Sequence, residues 1–307
     1  METRQKISVE NHQLLETLKL IERRPRWTSK LSIGNTMDLD HGCLSALVLA
    51  YNGSVIFGAV FRPDFETRLR AHLQDPNQHD EDVAWYALRN AVYAVGCRTA
   101  GSMDGSRNFS EVQQESLRFF HNAFFVLSDL LFMPSGLMAV QALLAMTSFA
   151  ELLGSPAVEY MLCASAARLA QSKGLHRHPS RLWKLPNLEI LQRSWVFWAV
   201  YCYENYIALR SGRPSIFDDA DISCEIPSSV PEGSTLDIDV FSAVIAHARI
   251  CSEIIKNLCS VKALSQRPEA LFQIMRNLEE RLEEWRKLLP DHLTFEHHND
   301  SAPSRYH

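Results

Sequence analysis

The chain has 307 residues and a formal net charge of −5, with 46% hydrophobic and 22% charged residues. This balance is typical of a globular protein, and the length allows one large domain or two ordinary ones. The negative charge argues against a chain that clamps nucleic acid along its whole length, because phosphate binding needs concentrated Lys and Arg. The N-terminus lacks the apolar core of a secretion signal, and no uninterrupted apolar run is long enough for a bilayer. We therefore expect a soluble, intracellular protein without a membrane partner.

The seven cysteines show no Cys-x-x-Cys spacing, which excludes the common zinc-finger and redox motifs. An odd number of scattered thiols fits reduced cysteines buried among the helices of an intracellular protein. His176, His178 and the pair at 297–298 lack a carboxylate or a cysteine at a metal-binding spacing, so we interpret them as surface groups. The sequence therefore predicts no metal and no cofactor in this chain.

The apolar pattern divides the chain into three segments. Residues 1–40 predict a short amphipathic helix over 8–22 and a polar linker, and residues 291–307 predict a flexible tail. Between them, apolar stretches at helical spacing alternate with polar or glycine-containing loops, without a confident strand and without an internal repeat. We predict an all-α fold with a single multi-helix domain of about ten helices over residues 42–290.

The first helices of this domain are predicted from their start and stop residues. Pro63 suits the first turn of a helix over 64–73, and a second helix, which begins around Trp85, ends near Gly96. The small residues of 99–109 predict a loop. Ser110 is then the predicted N-cap of the next helix, since its hydroxyl can accept a backbone N–H and acidic residues follow.

The later elements follow in the same way. Residues 137–153 are apolar on nearly every side, which predicts a helix that is buried on most sides. Residues 216–227 predict an extended, irregular segment. Two more long helices are predicted over 240–259 and 271–289, with an apolar side on the last one.

The central helix of the domain is predicted over 192–210. Aromatic residues recur along one side of it at steps of three, namely Trp195, Trp198 and Tyr201. Gly212 suits the left-handed conformation that ends many helices, and Pro214 prevents the helix from resuming. We interpret this stretch as the aromatic core of the domain, because each aromatic ring buries a large area.

Glu204 lies inside the central helix, where a carboxylate that is buried alone is costly. An arginine partner is expected, and Arg210 and Arg213 are near in sequence. The favoured interpretation is a structural ion pair that holds the Gly-Arg-Pro turn against its helix. The alternative is that Trp198, Glu204, Arg210 and Arg213 form a polar cluster that lines a pocket for a small effector.

Asp218, Asp219 and Asp221 offer carboxylate oxygens, which suit a divalent cation such as Mg²⁺. This keeps open a second function, that of a helical enzyme that acts on a hydrophobic metabolite with an aspartate-bound metal. The simpler interpretation is that these carboxylates are solvated or cap a helix, because no second metal-binding motif occurs in the sequence.

Several runs together resemble the fungal-specific transcription factor regulatory domain. Residues 166–179 resemble the A-x-R-L-A-x-x-L-G-L-H-R-D segment of that family, and residues 61–65 resemble its early hydrophobic-x-Pro-x-Phe element. Residues 85–96 resemble the alanine-rich helix, ending in Gly, that follows in the family. The remaining matches, in the order of the family, are Arg193 through Trp198, Tyr201, Ser211 to Pro214, Asp219, Asp221 with Ile222, and Ile226 with Pro227. The resemblance covers about residues 42–290.

The resemblance implies the all-helical middle region of fungal zinc-cluster transcription regulators, which restrains or licenses activation. It implies a nuclear protein whose partners are other transcription regulators or a second copy of the chain, and a small-molecule effector. In that family, DNA contact and zinc belong to a separate N-terminal head rich in cysteine and basic residues.

Three departures from the family pattern qualify this expectation. No cysteine precedes Cys43, so the zinc cluster is absent and DNA contact is expected only indirectly or through a missing head. Lys173 and His178 replace a usual apolar residue and a usual acid. The chain also stops soon after Pro290, whereas family members continue with further helices, so we expect a domain truncated at its C-terminus with some uncovered apolar surface. A degenerate remnant without function is the third hypothesis, after the regulatory module and the enzyme.

Overall fold

The structure is a computed structural model that describes residues 59–74, 82–103, 107–232 and 236–289. These residues contain ten α-helices and no strand. The helices are α1 Arg62–Gln74, α2 Val83–Met103, α3 Phe109–Phe125, α4 Leu127–Phe132, α5 Leu137–Leu152, α6 Pro156–Ser172, α7 Asn187–Ser211, α8 Ile238–Ile254, α9 Val261–Leu264 and α10 Pro268–Lys287. The predicted all-α class is confirmed.

The chain divides into two compact units. Within the described residues, the first comprises residues 62–74, 82–103 and 107–169, and the second comprises residues 59–61, 170–232 and 236–289. The helix predicted over 8–22, Cys43, the histidines at 297–298 and the predicted tail lie outside the described residues. The predicted domain limits of 42 and 290 stay a prediction. Among the described helices, none combines the length and the apolar character that a membrane crossing requires.

The first unit is built around α5, whose residues from Ala139 to Ala150 are all buried. This confirms the prediction for residues 137–153, because a helix that is apolar on every side is stable only when its neighbours cover every side. α2 packs against α3 and α5. The Phe120 ring on α3 stacks on the Phe149 ring on α5 with 4.9 Å between ring centroids.

The predicted loop over 99–109 is wrong at both ends. α2 continues to Met103, and its small polar residues bond back to the helix: the Thr99 hydroxyl donates to the Val95 carbonyl at 2.9 Å. Gly101 allows close approach to α3, since an added Cβ there would lie 2.3 Å from a Val112 methyl group. Packing against α3 therefore stabilises residues that would favour a loop on their own.

The predicted N-cap at Ser110 is also wrong. α3 begins at Phe109, and its N-cap is Asn108, whose side-chain oxygen accepts the backbone N–H of Ser110 at 2.9 Å. Asparagine and serine are comparable N-cap residues, so local sequence preference alone did not separate the two positions.

The second unit is organised around α7, which begins five residues before its predicted start and is buried from Ser194 to Asn205. It ends as predicted, because Gly212 adopts a left-handed backbone with φ of 67°. The Arg213 backbone N–H donates to the Ala208 carbonyl at 3.0 Å, which closes the helix end.

α8 packs against α7, and α10 packs against α8. The Trp195 ring lies parallel to the Phe241 ring on α8, with 4.1 Å between centroids. On α10, the Trp285 indole N–H donates to the Ala243 carbonyl at 2.8 Å, and its ring lies 4.9 Å from the His247 ring. A set of apolar side chains on α9 and α10 stays exposed: Val261, Leu264, Phe272 and Met275.

Candidate functional site

After the Gly212 turn, the chain runs back along α7. We call residues 213–232 the return segment. Four side chains of α7 form hydrogen bonds with the return segment in antiparallel order. The closer a side chain lies to the N-terminus of α7, the later its partner comes in the return segment. The contacting side chains are spaced three residues apart on α7, so each lies beside the next, and the row winds around the helix from Glu204 to Trp195.

The first of these contacts involves Glu204, which is buried. Its carboxylate accepts the Ser215 hydroxyl at 2.6 Å and the backbone N–H of Ile216 at 2.7 Å. Hydrogen bonds to a carboxylate are stronger than those between neutral groups, and they offset the cost of burying its charge. Neither partner was predicted from the sequence.

One turn earlier, Tyr201 donates its hydroxyl to the Asp219 carboxylate at 2.6 Å. The Ser252 hydroxyl on α8 donates to the other oxygen of the same carboxylate, also at 2.6 Å. Burial and the Asp219 carboxylate raise the pKa of Tyr201, so the phenol remains a neutral donor. Asp219 therefore joins α7, α8 and the return segment.

The next two contacts are hydrogen bonds to backbone carbonyls of the return segment. The Glu225 carbonyl accepts the Trp198 indole N–H at 3.0 Å and also the Ser194 hydroxyl. The Ser229 carbonyl accepts the Trp195 indole N–H at 3.0 Å. Both indoles are fully buried, so their N–H groups need such partners. The aromatic stripe predicted as core therefore also fixes the course of the return segment.

The four residues predicted as a polar cluster lie in different environments. Trp198 is buried beneath the Arg249 guanidinium, which lies 5.0 Å from its ring centroid. Glu204 is buried and bonded to the return segment. Arg210 is exposed and lies over the Tyr206 ring at 4.9 Å, and Arg213 is exposed after the turn. The predicted ion pair between Glu204 and an arginine stays a prediction.

The aspartates of residues 218–221 have structural contacts. Asp218 accepts the Ala220 backbone N–H at 3.2 Å and pairs with Lys256 at 3.4 Å, and these contacts hold the pKa of Asp218 below its usual range. In the part of the chain that the structure describes, no three His, Cys, Asp or Glu side chains are placed to hold a metal ion. The interpretation of these carboxylates as capping groups fits this geometry better than the metal site does.

The paired histidines after α6 differ from each other. His178 is exposed, as predicted for a surface group, and its ring lies 3.8 Å from the Glu225 carboxylate. His176 is half-buried instead, and its carbonyl accepts the backbone N–H groups of Ser223 and Cys224, both at 3.0 Å. Burial and the neighbouring Arg177 lower the pKa of His176. The surface prediction was therefore wrong for His176, because the return segment covers it.

A cavity of about 460 Å³ opens where the return segment passes the start of α7. We call it the α7 cavity. Three stretches line it: Leu175 to Pro179 after α6, the first two turns of α7 from Asn187 to Ser194, and Cys224 to Glu232 of the return segment. None of the four residues of the predicted polar cluster lines it, because the cavity lies beside the first two turns of α7 and all four residues come later in the chain.

The α7 cavity combines an apolar wall with basic side chains. Its apolar lining includes Leu188 and Ile226, which are 52% and 38% exposed. Its basic side chains are Arg177, His178 and Arg193, and its carboxylates are Glu225 and Glu232.

The thiol of Cys224 also lines the cavity. Burial raises the pKa of Cys224 to about 11, so the thiol is protonated near neutral pH and is a weak nucleophile. The cavity is therefore suited to binding and offers no activated nucleophile at this position.

The sequence of this chain is similar to those of known fungal proteins. The model of the fungal specific transcription factor domain matches residues 53–298. An ABC-transporter-regulating transcription factor of Aspergillus oryzae is 32% identical over 237 residues, which cover 74% of this chain and 26% of that protein. A protein of the same name in Aspergillus fumigatus is 32% identical over 230 residues, 72% of this chain and 25% of that protein.

The Fusaridione A cluster transcription factor of Fusarium heterosporum is 30% identical over 219 residues, which cover 67% of this chain and 40% of that protein. The chain thus spans about a quarter of the length of the two Aspergillus relatives. No solved structure matches it. These relatives are transcription regulators, and the enzymatic alternative finds no support among them. Since the family model covers most of its length, this chain belongs to the fungal-specific transcription factor domain family.

Proposed function

We propose that this chain is the regulatory module of a fungal transcription factor, and that it acts in the nucleus on transcription by RNA polymerase II. The observation that carries the proposal is the family match over residues 53–298. Relatives that carry the same region are named as transcription factors, among them a regulator of ABC transporters. The module acts through contacts with other regulators, with a second copy of itself, or with a small effector.

In this proposal, a different segment of the transcription factor binds DNA. A basic, cysteine-rich head supplies it in the family, and this sequence has no cysteine before Cys43. We accordingly expect no sequence-specific shift of DNA fragments by the purified chain in a gel-shift assay at moderate salt. Specific binding by this chain alone would overturn this part of the proposal.

A reporter assay tests the regulatory role. The full chain is fused to an unrelated DNA-binding domain, and reporter transcription is compared with that of the DNA-binding domain alone. We expect a change of about threefold or more, in either direction. The variant Ala199→Asp should abolish the change, because it places a carboxylate in the buried core of α7.

The matched control for this assay is Arg276→Gln, an exposed position on α10, and this variant should behave as the unaltered chain does. Circular dichroism of the purified chain checks that it is helical and folds cooperatively. A folded chain whose fusion leaves transcription unchanged would contradict the proposal.

A further inference from the structure

We propose that the α7 cavity binds an amphipathic organic anion, a molecule with one carboxylate and an apolar body. Its size is the first argument. A volume of about 460 Å³ falls in the range of roughly 300–1,000 Å³ typical of small-molecule sites. The binding claim rests on the cavity alone. Only its regulatory consequence rests on the function proposed above.

The charges of the cavity favour an anion. Arg177 and Arg193 line it, and in the described part of the chain neither guanidinium has a carboxylate within ion-pair distance. The one hydrogen bond shown for Arg193 goes to the Lys173 carbonyl at 3.1 Å, and a guanidinium carries five N–H donors. Its remaining donors suit a planar carboxylate, which two parallel N–H groups can bind.

Each of the two arginines also acts on a neighbouring base, although the Asp221 carboxylate opposes this effect at His176. Burial and then the nearby Arg193 charge lower the pKa of Lys173, and burial and then Arg177 lower the pKa of His176. Two carboxylates also line the cavity, but Glu225 is 82% exposed and lies 3.8 Å from the His178 ring, and Glu232 is exposed as well, so solvent screens the charge of both. An anionic ligand bound to Arg177 and Arg193 would therefore reduce the repulsion that these two charges exert on their surroundings.

The apolar wall favours a hydrophobic body. Leu188 and Ile226 line the cavity and are 52% and 38% exposed, so a bound ligand would cover apolar surface on both. Each square ångström of apolar surface that a ligand removes from water contributes favourably to binding. A purely ionic ligand would leave this wall exposed, and a purely apolar one would leave the guanidinium groups unmatched.

The cavity wall is also connected to the core of the unit. Glu225 lines the cavity, and its carbonyl accepts a hydrogen bond from the Trp198 indole N–H. Four residues later, the Ser229 carbonyl accepts a hydrogen bond from the Trp195 indole N–H. A ligand that contacts this part of the return segment would stabilise it against α7. Binding is therefore expected to raise the melting temperature of the chain.

The probes for the test are decanoate and decanol, which share a chain length and differ in charge. Titration calorimetry on the purified full chain should give one site per chain, with decanoate binding about tenfold or more tightly than decanol. Arg177→Gln and Arg193→Gln should each weaken decanoate severalfold to tenfold and leave decanol nearly unchanged. Leu188→Gln should weaken both probes.

Arg276→Gln is the matched control, since it removes the same charge from an exposed position on α10. Arg177 is exposed, so its variant should keep the fold even if Arg193→Gln impairs folding. Equal affinity for the two probes, no binding of either, or full affinity in both arginine variants would overturn the proposal. Decanoate binding without a reporter response would leave the site standing and count against the regulatory function instead.

Discussion

At the scale of single residues, several buried polar groups of α7 have defined hydrogen-bond partners on the return segment. Hydrogen bonds join the return segment to the Glu204 carboxylate, the Tyr201 hydroxyl and two indole N–H groups. A buried polar group that loses its partner costs its full desolvation energy, so these contacts define one course for a segment without regular structure. Conformational specificity is the expected result.

Glu204→Gln tests this at one residue. The amide keeps the size of the carboxylate but loses its charge, so the bonds from the Ser215 hydroxyl and the Ile216 N–H weaken. We expect a loss of about 1–3 kcal/mol in the free energy of unfolding, measured with urea. Ser215→Ala should cost about 1 kcal/mol, and the double variant should cost less than the sum. Unchanged stability in Glu204→Gln would show that the carboxylate is not needed there.

At the scale of elements, the sequence predicted what local periodicity controls. Helix α5 and the end of α7 at Gly212 follow from apolar spacing and from the left-handed preference of glycine. The course of the return segment did not follow, because it depends on bonds between residues far apart in the sequence, such as the 34 positions between Trp195 and Ser229. The α7 cavity was missed for the same reason: its three stretches meet only in the folded chain.

The extension of α2 through Gly101 gives an element-scale prediction. Gly101→Ala adds a Cβ that would lie 2.3 and 2.6 Å from the two methyl groups of Val112 on α3. Valine has few alternative rotamers, so the helices must separate. We expect a loss of about 1–3 kcal/mol in the free energy of unfolding, although alanine is the better helix former.

Two further variants separate crowding from a general effect of removing glycine. Gly136→Ala is the control, because no neighbouring atom lies within 4 Å of the added Cβ; its loss of stability should be the smaller one, limited to the poorer N-cap that alanine gives α5. Val112→Ala in the Gly101→Ala background should recover part of the loss by making room between the helices. A stable Gly101→Ala variant would mean that α2 and α3 do not approach as closely as the structure shows.

Trp198→Phe tests the link between α7 and the return segment. Phenylalanine keeps much of the buried ring but lacks the indole N–H, so the Glu225 carbonyl loses a donor. We expect a loss of about 1–3 kcal/mol in unfolding free energy and faster amide hydrogen exchange in residues 225–229. Trp183→Phe, at a 55% exposed position, should change neither. Unaltered exchange in 225–229 would assign the order of this stretch to other contacts.

At the scale of the whole molecule, both units partly bury histidines, and this burial favours the neutral form of the ring. Burial lowers the pKa of His121 in the first unit and of His247 in the second, and it is also the main cause for His176. The unfolded chain, with an ordinary histidine pKa of about 6.5, therefore takes up protons before the folded chain does. The contribution of these neutral histidines to the free energy of unfolding is fully present above this pH and is lost as the pH falls below it.

We therefore expect the free energy of unfolding to decrease between about pH 7 and pH 5, well above the range in which the paired carboxylates are protonated. His247→Gln should flatten part of this decrease, because it removes a ring that lies 4.9 Å from Trp285 and is costly to charge. One such group contributes at most about 1.4 kcal/mol per pH unit, and less where solvent screens it. Urea unfolding at several pH values measures the slope. Arg276→Gln is the control that alters charge without removing a histidine, and an identical slope in His247→Gln and the unaltered chain would contradict the prediction.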